Sequence, residues 1–414
     1  MRHLLFAQDE NFWFETLRSL GHIAYGGADF GEVEATAERI RPGDYDSWFD
    51  EWYATAQRIR ALADEARAQG HVNTARDSYL RASNYYRTAE FFLHGNPADP
   101  RILMTYDKAV DAFHDFAALS GTSVARVDIP FEGATLHGYF YPSPLPGEQP
   151  VVVMHNGFDG TAEEMHFFGA VAAQERGYHV LTFDGPGQPG ARQHQGLLFR
   201  PDWENVVGPV LDHLSELPDV DTGRVALLGV SLGGELCLRA AAFEPRIKAV
   251  MAVDGVYDFS QLMLRFIEGD PEKVRAALRA PEAPEIDEQL AAAAESSPTA
   301  RWAITHGMYV MGGDTPRQYA ARTLDFNVRD GVAERIDCPV LICEAEDDLF
   351  FKGQPEEVFG HLTAPDKTLL RLTDAEGAGA HCHVGGQRYA FGKILDWLAD
   401  RIPVAEPAAS AVPA

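Results

Sequence analysis

The chain has 414 residues, which exceeds one typical domain and is long enough to bury a large core. Its 35 basic and 62 acidic side chains give a formal net charge of −27, which disfavours binding to nucleic acid and to anionic membrane surfaces. The sequence has no signal-peptide pattern and no apolar run of membrane-spanning length, and its four cysteines are typical of reduced thiols, so we expect a cytoplasmic protein with a small-molecule partner.

Helical periodicity dominates residues 1–118, and aromatic side chains are frequent there. The pattern predicts five helices, over residues Phe12 to Leu20, Glu32 to Arg39, Tyr45 to Ala68, Asn73 to Phe92, and Arg101 to Leu119. We expect most of these aromatic side chains to form the core of a helical N-terminal domain.

The next segment changes to β-structure. Residues 123–141 alternate between apolar and polar side chains and predict an antiparallel hairpin, and strands alternate with helices from 150 to 258. This alternation predicts a mostly parallel sheet flanked by helices. After a strand at 150–154, Thr161 and Glu164 have the spacing of a capping box, which predicts that a helix begins there.

Residues 185–190 read GPGQPG and match the glycine spacing of a dinucleotide-binding loop. Such a loop must run directly into an apolar helix, whereas ARQHQG follows this one. Pro186 and Pro189 also remove backbone N–H groups that a pyrophosphate would need. We therefore expect no nicotinamide or flavin, and no other cofactor is indicated.

Residues 224–234 read RVALLGVSLGG, an apolar strand pattern that ends in G-x-S-x-G. A serine at this position lies on a tight turn between a strand and a helix, and the flanking glycines let the two backbones approach each other. The apolar helix pattern ELCLRAAA follows directly. Ser231 is therefore the candidate nucleophile, in the arrangement called a nucleophile elbow.

Helical patterns alone fill residues 259–336, where Ser297-Pro298 and Thr315-Pro316 are typical helix starts. An insertion at this point is typical of a lid over an active site.

A short strand pattern at 338–343 comes next, and a serine nucleophile needs an acid in the loop after such a strand. Four carboxylates compete for this role: Glu344, Glu346, Asp347 and Asp348. The common local pattern is a strand followed by G-x-x-D, and Ala345 in the place of that glycine favours Asp348, with Asp347 as the alternative.

The last strand pattern (367–372) leads into a loop of small residues that reaches His381, Cys382 and His383 before a closing helix at 389–402. This is the expected position of the base, and His381 is favoured over His383 because it comes first after the loop. A His-Cys-His run could also suggest a metal site. Three adjacent residues cannot easily face one ion, however, so we expect no metal.

The oxyanion of a tetrahedral intermediate needs backbone N–H donors close to the start of a helix. We assign these donors to the N–H groups of Leu232, directly after the nucleophile, and of Phe158, in the loop after the strand at 150–154. Gly157 is the alternative to Phe158.

With these motifs placed, the chain resembles a subgroup of the α/β-hydrolase superfamily that includes 2,6-dihydroxypseudooxynicotine hydrolase, fungal polyketide-shortening pigment hydrolases and FrsA-like esterases. The segments that carry the resemblance are LRSLGHIAYGGADFGEV (17–33), NYYRTAEFF (84–92), HNGFDGTAEE (155–164), FDGPGQPG (183–190), GVSLGG (229–234), EAEDD (344–348) and GAGAHC (377–382).

The resemblance implies an α/β-hydrolase fold with an N-terminal helical domain and a helical lid insertion. The implied divisions are the N-terminal domain 1–118, the first part of the core 119–258, the lid 259–336, the second part of the core 337–402 and a disordered tail 403–414. The resemblance is also compatible with a homodimer.

The implied activity is that of a serine hydrolase that cleaves a C–C bond next to a ketone, or an ester, in a small aromatic or polyketide-like compound. Ser231 would attack the carbonyl, His381 would protonate the leaving group and Asp348 would orient the imidazole. A carbon leaving group must be stabilised as an enolate, so a β-dicarbonyl compound is the expected substrate of C–C cleavage. An acyltransferase or lactonising enzyme, a general carboxylesterase and a non-catalytic binding protein remain as alternatives.

Two further expectations concern the surroundings of the triad. The C–C hydrolases of the subgroup use an additional acidic residue near the lid, and Asp254, Asp258 and Glu268 are in range. Some aromatic side chains of the N-terminal domain are expected to line an apolar cleft for a flat substrate, with Tyr86 and Arg87 as the candidate substrate-binding residues.

Overall fold

The computed structural model describes residues 4–121, 123–296 and 298–405. The N-terminal helices are α1 (Glu10–Gly21), α2 (Phe30–Ala37), α3 (Tyr45–Ala68), α4 (Val72–Glu90) and α5 (Pro100–Leu119), with 3-10 turns at His22–Tyr25 and Phe91–Gly95. They confirm the five predicted helices to within about two residues at each end. Four of the helices begin after an aspartate whose side chain accepts a hydrogen bond from a first-turn N–H group: Asp9, Asp29, Asp44 and Asp99.

The N-terminal helices pack around an aromatic core, as predicted. Trp48, Trp52 and Tyr85 are fully buried, and Phe12 packs against Trp48 with 4.7 Å between the ring centroids. The Trp48 indole N–H donates to the Thr88 carbonyl at 2.7 Å, so the ring is satisfied inside the core. Helices α3, α4 and α5 pack against one another in this domain.

An eight-stranded sheet forms the centre of the catalytic domain. Its strands are β1 (Ala125–Phe131), β2 (Ala134–Tyr141), β3 (Gln149–His155), β4 (His179–Phe183), β5 (Val220–Val230), β6 (Ile247–Val253), β7 (Val340–Ala345) and β8 (Lys367–Leu372). The spatial order is β1-β2-β4-β3-β5-β6-β7-β8. The pairs β1–β2 and β2–β4 are antiparallel and the remaining pairs are parallel. The hairpin and the mostly parallel sheet are thereby confirmed.

Helices cover both faces of the sheet. The core helices are α6 (Ala170–Glu175), α7 (Pro189–Gln195), α8 (Glu204–His213), α9 (Leu232–Phe243), α15 (Gln354–His361) and α16 (Gln387–Ala399). The lid between β6 and β7 contains α10 (Gln261–Leu264), α11 (Pro271–Leu278), α12 (Pro284–Ser296), α13 (Pro298–Met311) and α14 (Pro316–Thr323). Short 3-10 turns lie at Glu164–His166, Leu214–Glu216, Ala333–Arg335, Asp374–Glu376 and His381–His383.

The helix predicted after Thr161 differs from the observed structure. The Thr161 hydroxyl does accept from the Glu164 N–H at 3.1 Å, but only a 3-10 turn follows. Gly169 has a φ of 110°, which interrupts the helical backbone, and α6 begins after it. The Glu164 side chain is unavailable for capping because it pairs with Arg18 of α1.

Asp258, the residue directly before the lid, binds two arginines of the lid. The Asp258 carboxylate accepts from Arg275 at 2.7 Å and from Arg329 at 3.3 Å, so both ends of the lid meet one buried acid. The predicted cap at Thr315 is confirmed, whereas Ser297 and residues 406–414 of the predicted tail lie outside the described residues. Within the described ranges, no helix is both long enough and apolar enough to cross a bilayer.

Candidate active site

Ser231 lies on the turn between β5 and α9, at the carboxyl edge of the sheet. Its φ of 60° and ψ of −127° are unusual for a residue with a side chain, which is the strained turn expected of a nucleophile elbow. A Cβ at Gly229 would overlap the Gly233 carbonyl, and one at Gly233 would lie 2.8 Å from the Asn156 carbonyl. The two glycines of the motif are therefore required for the close approach of strand, helix and neighbouring loop.

The imidazole of His381 joins the candidate nucleophile to the candidate acid. His381 Nε2 lies 3.0 Å from Ser231 Oγ, and His381 Nδ1 lies 2.9 Å from Asp348 Oδ2. The second oxygen of Asp348 accepts from the N–H groups of Phe350 and Phe351 at 2.6 and 2.8 Å. The structure thus brings together three residues that follow β5, β7 and β8, because these strands end at the same edge of the sheet.

A second carboxyl group faces the same imidazole nitrogen. Asp254 directly follows β6, has a φ of 65°, and places Oδ2 at 3.0 Å from His381 Nδ1. The same oxygen accepts from the Cys382 N–H at 2.6 Å, and the side chain is fully buried. Of the three additional acids in range, Asp254 is therefore the one beside the triad. Asp258 is engaged by the lid arginines, and Glu268 is exposed on the lid.

The two carboxyl groups and the imidazole perturb one another's pKa values. Burial disfavours the imidazolium, but the charges of Asp348 and Asp254 outweigh it and raise the pKa of His381 to about 9. Burial raises the pKa of Asp254, and the charge of Asp348 adds to this. The pKa of Asp348 is lowered, since His381 and its two backbone donors outweigh its own burial. Asp348 is therefore the carboxyl group better suited to remain ionised.

The candidate oxyanion donors lie between β3 and β5. A Cβ at Gly157 would come within 2.8 Å of the Leu232 nitrogen, so the loop after β3 lies directly against the start of α9. The Gly157 N–H is engaged by its neighbour Asn156, whose Oδ1 accepts at 2.8 Å. In the part of the chain that the structure describes, the N–H of Phe158 has no such acceptor. The geometry therefore favours Phe158 over Gly157 as the partner of Leu232.

The GPGQPG segment contacts the loop that follows β3. The side-chain amide of Gln188 donates to the carbonyls of Asn156 and Gly157, the latter at 3.4 Å, and accepts from the Gly185 N–H at 2.7 Å. The segment then enters the short helix α7, which begins at Pro189. Gln188 of this segment thus supports the oxyanion loop, which is a structural role that the sequence pattern did not reveal.

A cavity of about 200 Å³ opens above Ser231 and His381, and three parts of the chain line it. Its walls are mainly aromatic: Phe14 and Phe91 come from the N-terminal domain, Phe259 and Trp302 from the lid, and Phe158 and Phe350 from the core. Phe350 meets the His381 ring edge-to-face with 4.8 Å between the ring centroids, so the aromatic part of the wall reaches the imidazole of the candidate base. This arrangement suits a flat or apolar molecule of small size.

The two predicted substrate-binding residues do not lie on this cavity. Tyr86 is buried against Tyr53, with 5.5 Å between the ring centroids, and is not among the residues that line the cavity. Arg87 lies behind the wall, where it pairs with Glu15 at 3.2 Å and with Glu164 at 3.5 Å. Helical periodicity identifies a buried face but cannot tell which buried residues meet the neighbouring domain, and the structure places these two residues away from the cavity lining.

A buried network of charges joins the N-terminal domain to the core next to the cavity. Arg18 of α1 contacts both oxygens of Glu164 at 2.7 and 2.5 Å, and it also contacts Asp159 at 2.9 Å. Burial acts against ionisation of Glu164, yet Arg18 and Arg87 lower its pKa to about 2. Burial raises the pKa of Glu15 to about 6, despite the same two arginines. Sequence periodicity gave no sign of this network.

Asp254, His381 and Cys382 place three potential ligand atoms within 4.8 Å of one another. Burial raises the pKa of the Cys382 thiol well above its usual value, so the thiolate that a metal would need is disfavoured. His381 Nδ1 is already bound to carboxylates, so this group is poorly suited to hold an ion.

Comparison with known proteins identifies the family. Residues 5–259 match a family model described as Esterase FrsA-like, and residues 151–388 match the model of the alpha/beta hydrolase family. A hydrolase of Fusarium sp. is 40% identical over 406 residues, which cover 94% of this chain and 95% of the relative. The 20-hydroxy-prefusarin hydrolase of Gibberella moniliformis is 38% identical over 424 residues, which cover 96% and 97% respectively.

The solved structure of 2,6-dihydroxy-pseudo-oxynicotine hydrolase has the same fold. It superposes with a TM-score of 0.71 at 24% identity, and the match covers 95% of this chain and 99% of that one. These matches confirm the resemblance that the sequence motifs indicated. The chain belongs to the α/β-hydrolase family and to its FrsA-like group, and it is an enzyme of the hydrolase class.

Proposed function

We propose that the protein is a serine hydrolase that cleaves a C–C bond next to a ketone, or an ester, in a small aromatic or polyketide-like compound. The observation that carries the proposal is the hydrogen-bonded series from Ser231 Oγ to His381 Nε2 (3.0 Å) and from His381 Nδ1 to Asp348 Oδ2 (2.9 Å), located at the floor of an aromatic cavity. Nucleophile, base and orienting acid at hydrogen-bond distance are the arrangement that acyl transfer requires.

The chemistry follows from the position of each group. His381 in its neutral form accepts the Ser231 proton as Oγ attacks the carbonyl carbon, and the N–H groups of Leu232 and Phe158 stabilise the resulting oxyanion. The imidazolium then donates its proton to the leaving enolate carbon or alkoxide oxygen. A water molecule, deprotonated by His381, attacks the acyl-enzyme and releases the acid product. Asp348 keeps Nδ1–H directed towards itself throughout.

The cavity supports a small organic substrate. Its wall carries many aromatic side chains, Ser231 and His381 lie on its lining, and charged side chains such as Arg18, Asp159 and Arg265 also reach it. A relative 38% identical to this chain is named 20-hydroxy-prefusarin hydrolase, which supports a small-molecule substrate for this chain as well. An enolate leaving group needs an adjacent carbonyl, so we propose β-diketones as the substrates of C–C cleavage.

The proposal is tested by screening β-diketones and aryl esters against the wild type and the Ser231→Ala variant. We expect wild-type turnover of at least one class, and a loss of at least about ten-thousandfold in the variant with an unchanged melting temperature. A fluorophosphonate probe should label the wild type and leave Ser231→Ala unlabelled. Turnover of esters alone would remove the C–C part of the proposal, product esters formed from added alcohols would favour acyl transfer, and a wild type that does not react with the probe would refute a serine hydrolase.

A further inference from the structure

A buried series of three side chains ends on the backbone of the oxyanion loop, and the triad does not use it. Glu90, at the end of α4, places Oε2 at 2.6 Å from Nε2 of His94 in the following 3-10 turn. His94 Nδ1 lies 2.7 Å from Nδ1 of His306 on lid helix α13. His306 Nε2 lies 2.9 Å from the Phe158 carbonyl oxygen. All three side chains are buried, and together they join the N-terminal domain and the lid to the core.

The direction of each hydrogen bond follows from the groups involved. A carbonyl oxygen only accepts, so His306 Nε2 carries the hydrogen. Burial, assisted by His94, lowers the pKa of His306 to about 3, so the ring is neutral and its Nδ1 accepts from His94 Nδ1. At the other end, His94 Nε2 and Glu90 Oε2 are hydrogen-bonded at 2.6 Å, which orients the His94 ring. The series therefore fixes the tautomer of His306 that donates to Phe158.

A second anchor holds the same stretch of backbone. Gln188 donates to the Gly157 carbonyl at 3.4 Å, and that carbonyl belongs to the same peptide group as the Phe158 N–H. The Phe158 carbonyl belongs to the next peptide group and is held by His306. The candidate oxyanion donor thus lies between two fixed carbonyls. The Phe158 ring also meets the His306 ring edge-to-face at 4.7 Å, which further restricts the loop.

We propose that His306, held in one tautomer by His94 and Glu90, is a positioning residue that aims the Phe158 N–H at the developing oxyanion. The inference rests on the proposed function, because it takes the Phe158 N–H as an oxyanion donor. A donor that is already aligned stabilises the transition state far more than one that must reorient during the reaction. Because His306 lies on the lid and His94 on the N-terminal domain, the oxyanion site is complete only when both pack against the core.

The experiment compares His306→Leu with His306→Gln in the full-length protein. The glutamine amide nitrogen can take the place of imidazole Nε2 and donate to Phe158, whereas leucine cannot. With p-nitrophenyl butyrate as the probe, we expect His306→Leu to lower kcat by about 10- to 100-fold with KM within about twofold, and His306→Gln to recover most of the loss. The affinity for an alkyl trifluoromethyl ketone, which forms a tetrahedral adduct with a serine, should fall by about the same factor as kcat.

A pair at position 94 gives the same test with His306 in place, and it decides the question should His306→Leu not fold. Asparagine at this position keeps a donor where Nδ1 lies, so His94→Asn should retain kcat and His94→Leu should lose it. The matched control is Arg329→Met, which removes another lid–core hydrogen bond, from Arg329 to the Asp258 carboxylate at 3.3 Å, without touching Phe158, His94 or His306. We expect the kcat of this control to stay near that of the wild type.

Three results would overturn the inference while the wild type is active: an unchanged ketone affinity in His306→Leu, equal kcat in His94→Asn and His94→Leu, or a control that loses as much kcat as His306→Leu. The last result would mean that the contacts only tether the lid. A wild type that neither hydrolyses the ester nor binds the ketone would overturn the proposed function and this inference together.

Discussion

Replacing Asp254 by asparagine tests whether Asp254, as well as Asp348, raises the pKa of His381. The two carboxyl oxygens lie almost equally far from Nδ1, at 2.9 Å for Asp348 and 3.0 Å for Asp254. The pKa of His381 is raised from 6.5 to about 9 although burial alone would lower it. Because the charges of both carboxyl groups act against burial, removing the charge of Asp254 should lower this pKa by about 1 pH unit or more.

The assay is the pH dependence of kcat/KM for an aryl ester. The base must be neutral, so kcat/KM rises with pH, and its midpoint reports the pKa of His381 in the free enzyme. We expect a wild-type midpoint near pH 9 and a variant midpoint below about pH 8, which makes the neutral fraction at pH 7 at least about tenfold larger in the variant. Asparagine can still accept from the Cys382 N–H through Oδ1, so the loop should keep its conformation.

The matched variant is Asp348→Asn, which also removes one charge from His381 Nδ1. Asp348 is the carboxyl group whose pKa is lowered, and two backbone N–H groups hold it in place. We therefore expect Asp348→Asn to reduce the high-pH plateau of kcat/KM by about a thousandfold or more, whereas Asp254→Asn should reduce it by less than about tenfold. An unchanged midpoint in Asp254→Asn would refute the idea that Asp254 contributes to the raised pKa of His381. A larger plateau loss in Asp254→Asn than in Asp348→Asn would make Asp254 the orienting acid.

Three further predictions concern the oxyanion loop and the buried charges. A methyl group at Gly157 would lie 2.5 Å from the Val230 carbonyl, so Gly157→Ala should displace the loop and lower kcat by at least about a hundredfold, and an unaltered kcat would contradict the placement of the donors. Arg18→Met removes the arginine closest to Glu164 and leaves Arg87 as the remaining arginine of the buried carboxylates, so it should lower the free energy of unfolding by about 3 kcal/mol in urea titrations. A loss below about 1 kcal/mol would show that the network is not important for stability. The pKa of Glu15 is raised from 4.5 to about 6, so ionising it in the folded state carries a penalty that is absent below pH 4.5 and complete above pH 6. Between about pH 4 and pH 7, the unfolding free energy of Glu15→Gln relative to the wild type should therefore increase by about 2 kcal/mol, and a pH-independent difference would count against the raised pKa.

The parts of the site that follow strand ends were accessible from sequence. Ser231, Asp348 and His381 each come shortly after an apolar strand pattern, and the carboxyl ends of parallel strands meet at one edge of the sheet. The same reasoning applied to the strand before Asp254 would have placed this residue beside them, since the Asp-Gly pair after β6 is a strand-end signal of the same kind. A carboxyl group directly after a buried strand pattern was therefore the sequence signal that could have singled out Asp254.

Contacts between residues of different domains could not be predicted from the sequence. The cavity walls from the N-terminal domain are Phe14 and Phe91 rather than Tyr86, because the rotation of a helix against its neighbour depends on packing that no single periodicity encodes. The contact between His94 and His306 joins residues that are 212 positions apart in the sequence. The contact of Gln188 with the oxyanion loop was missed for a different reason. Its segment matches the glycine spacing of a dinucleotide-binding loop, and this match drew attention to the glycines instead.

The cavity draws its walls from three segments, whereas the groups that carry out the chemistry all come from the central sheet and its loops. Under the proposed function, part of the surface that contacts the substrate would therefore come from stretches of polypeptide that carry no triad residue. A graft of the α10–α14 region from a homologue would then transfer its substrate range, provided that the graft keeps a histidine at the position that meets the Phe158 carbonyl.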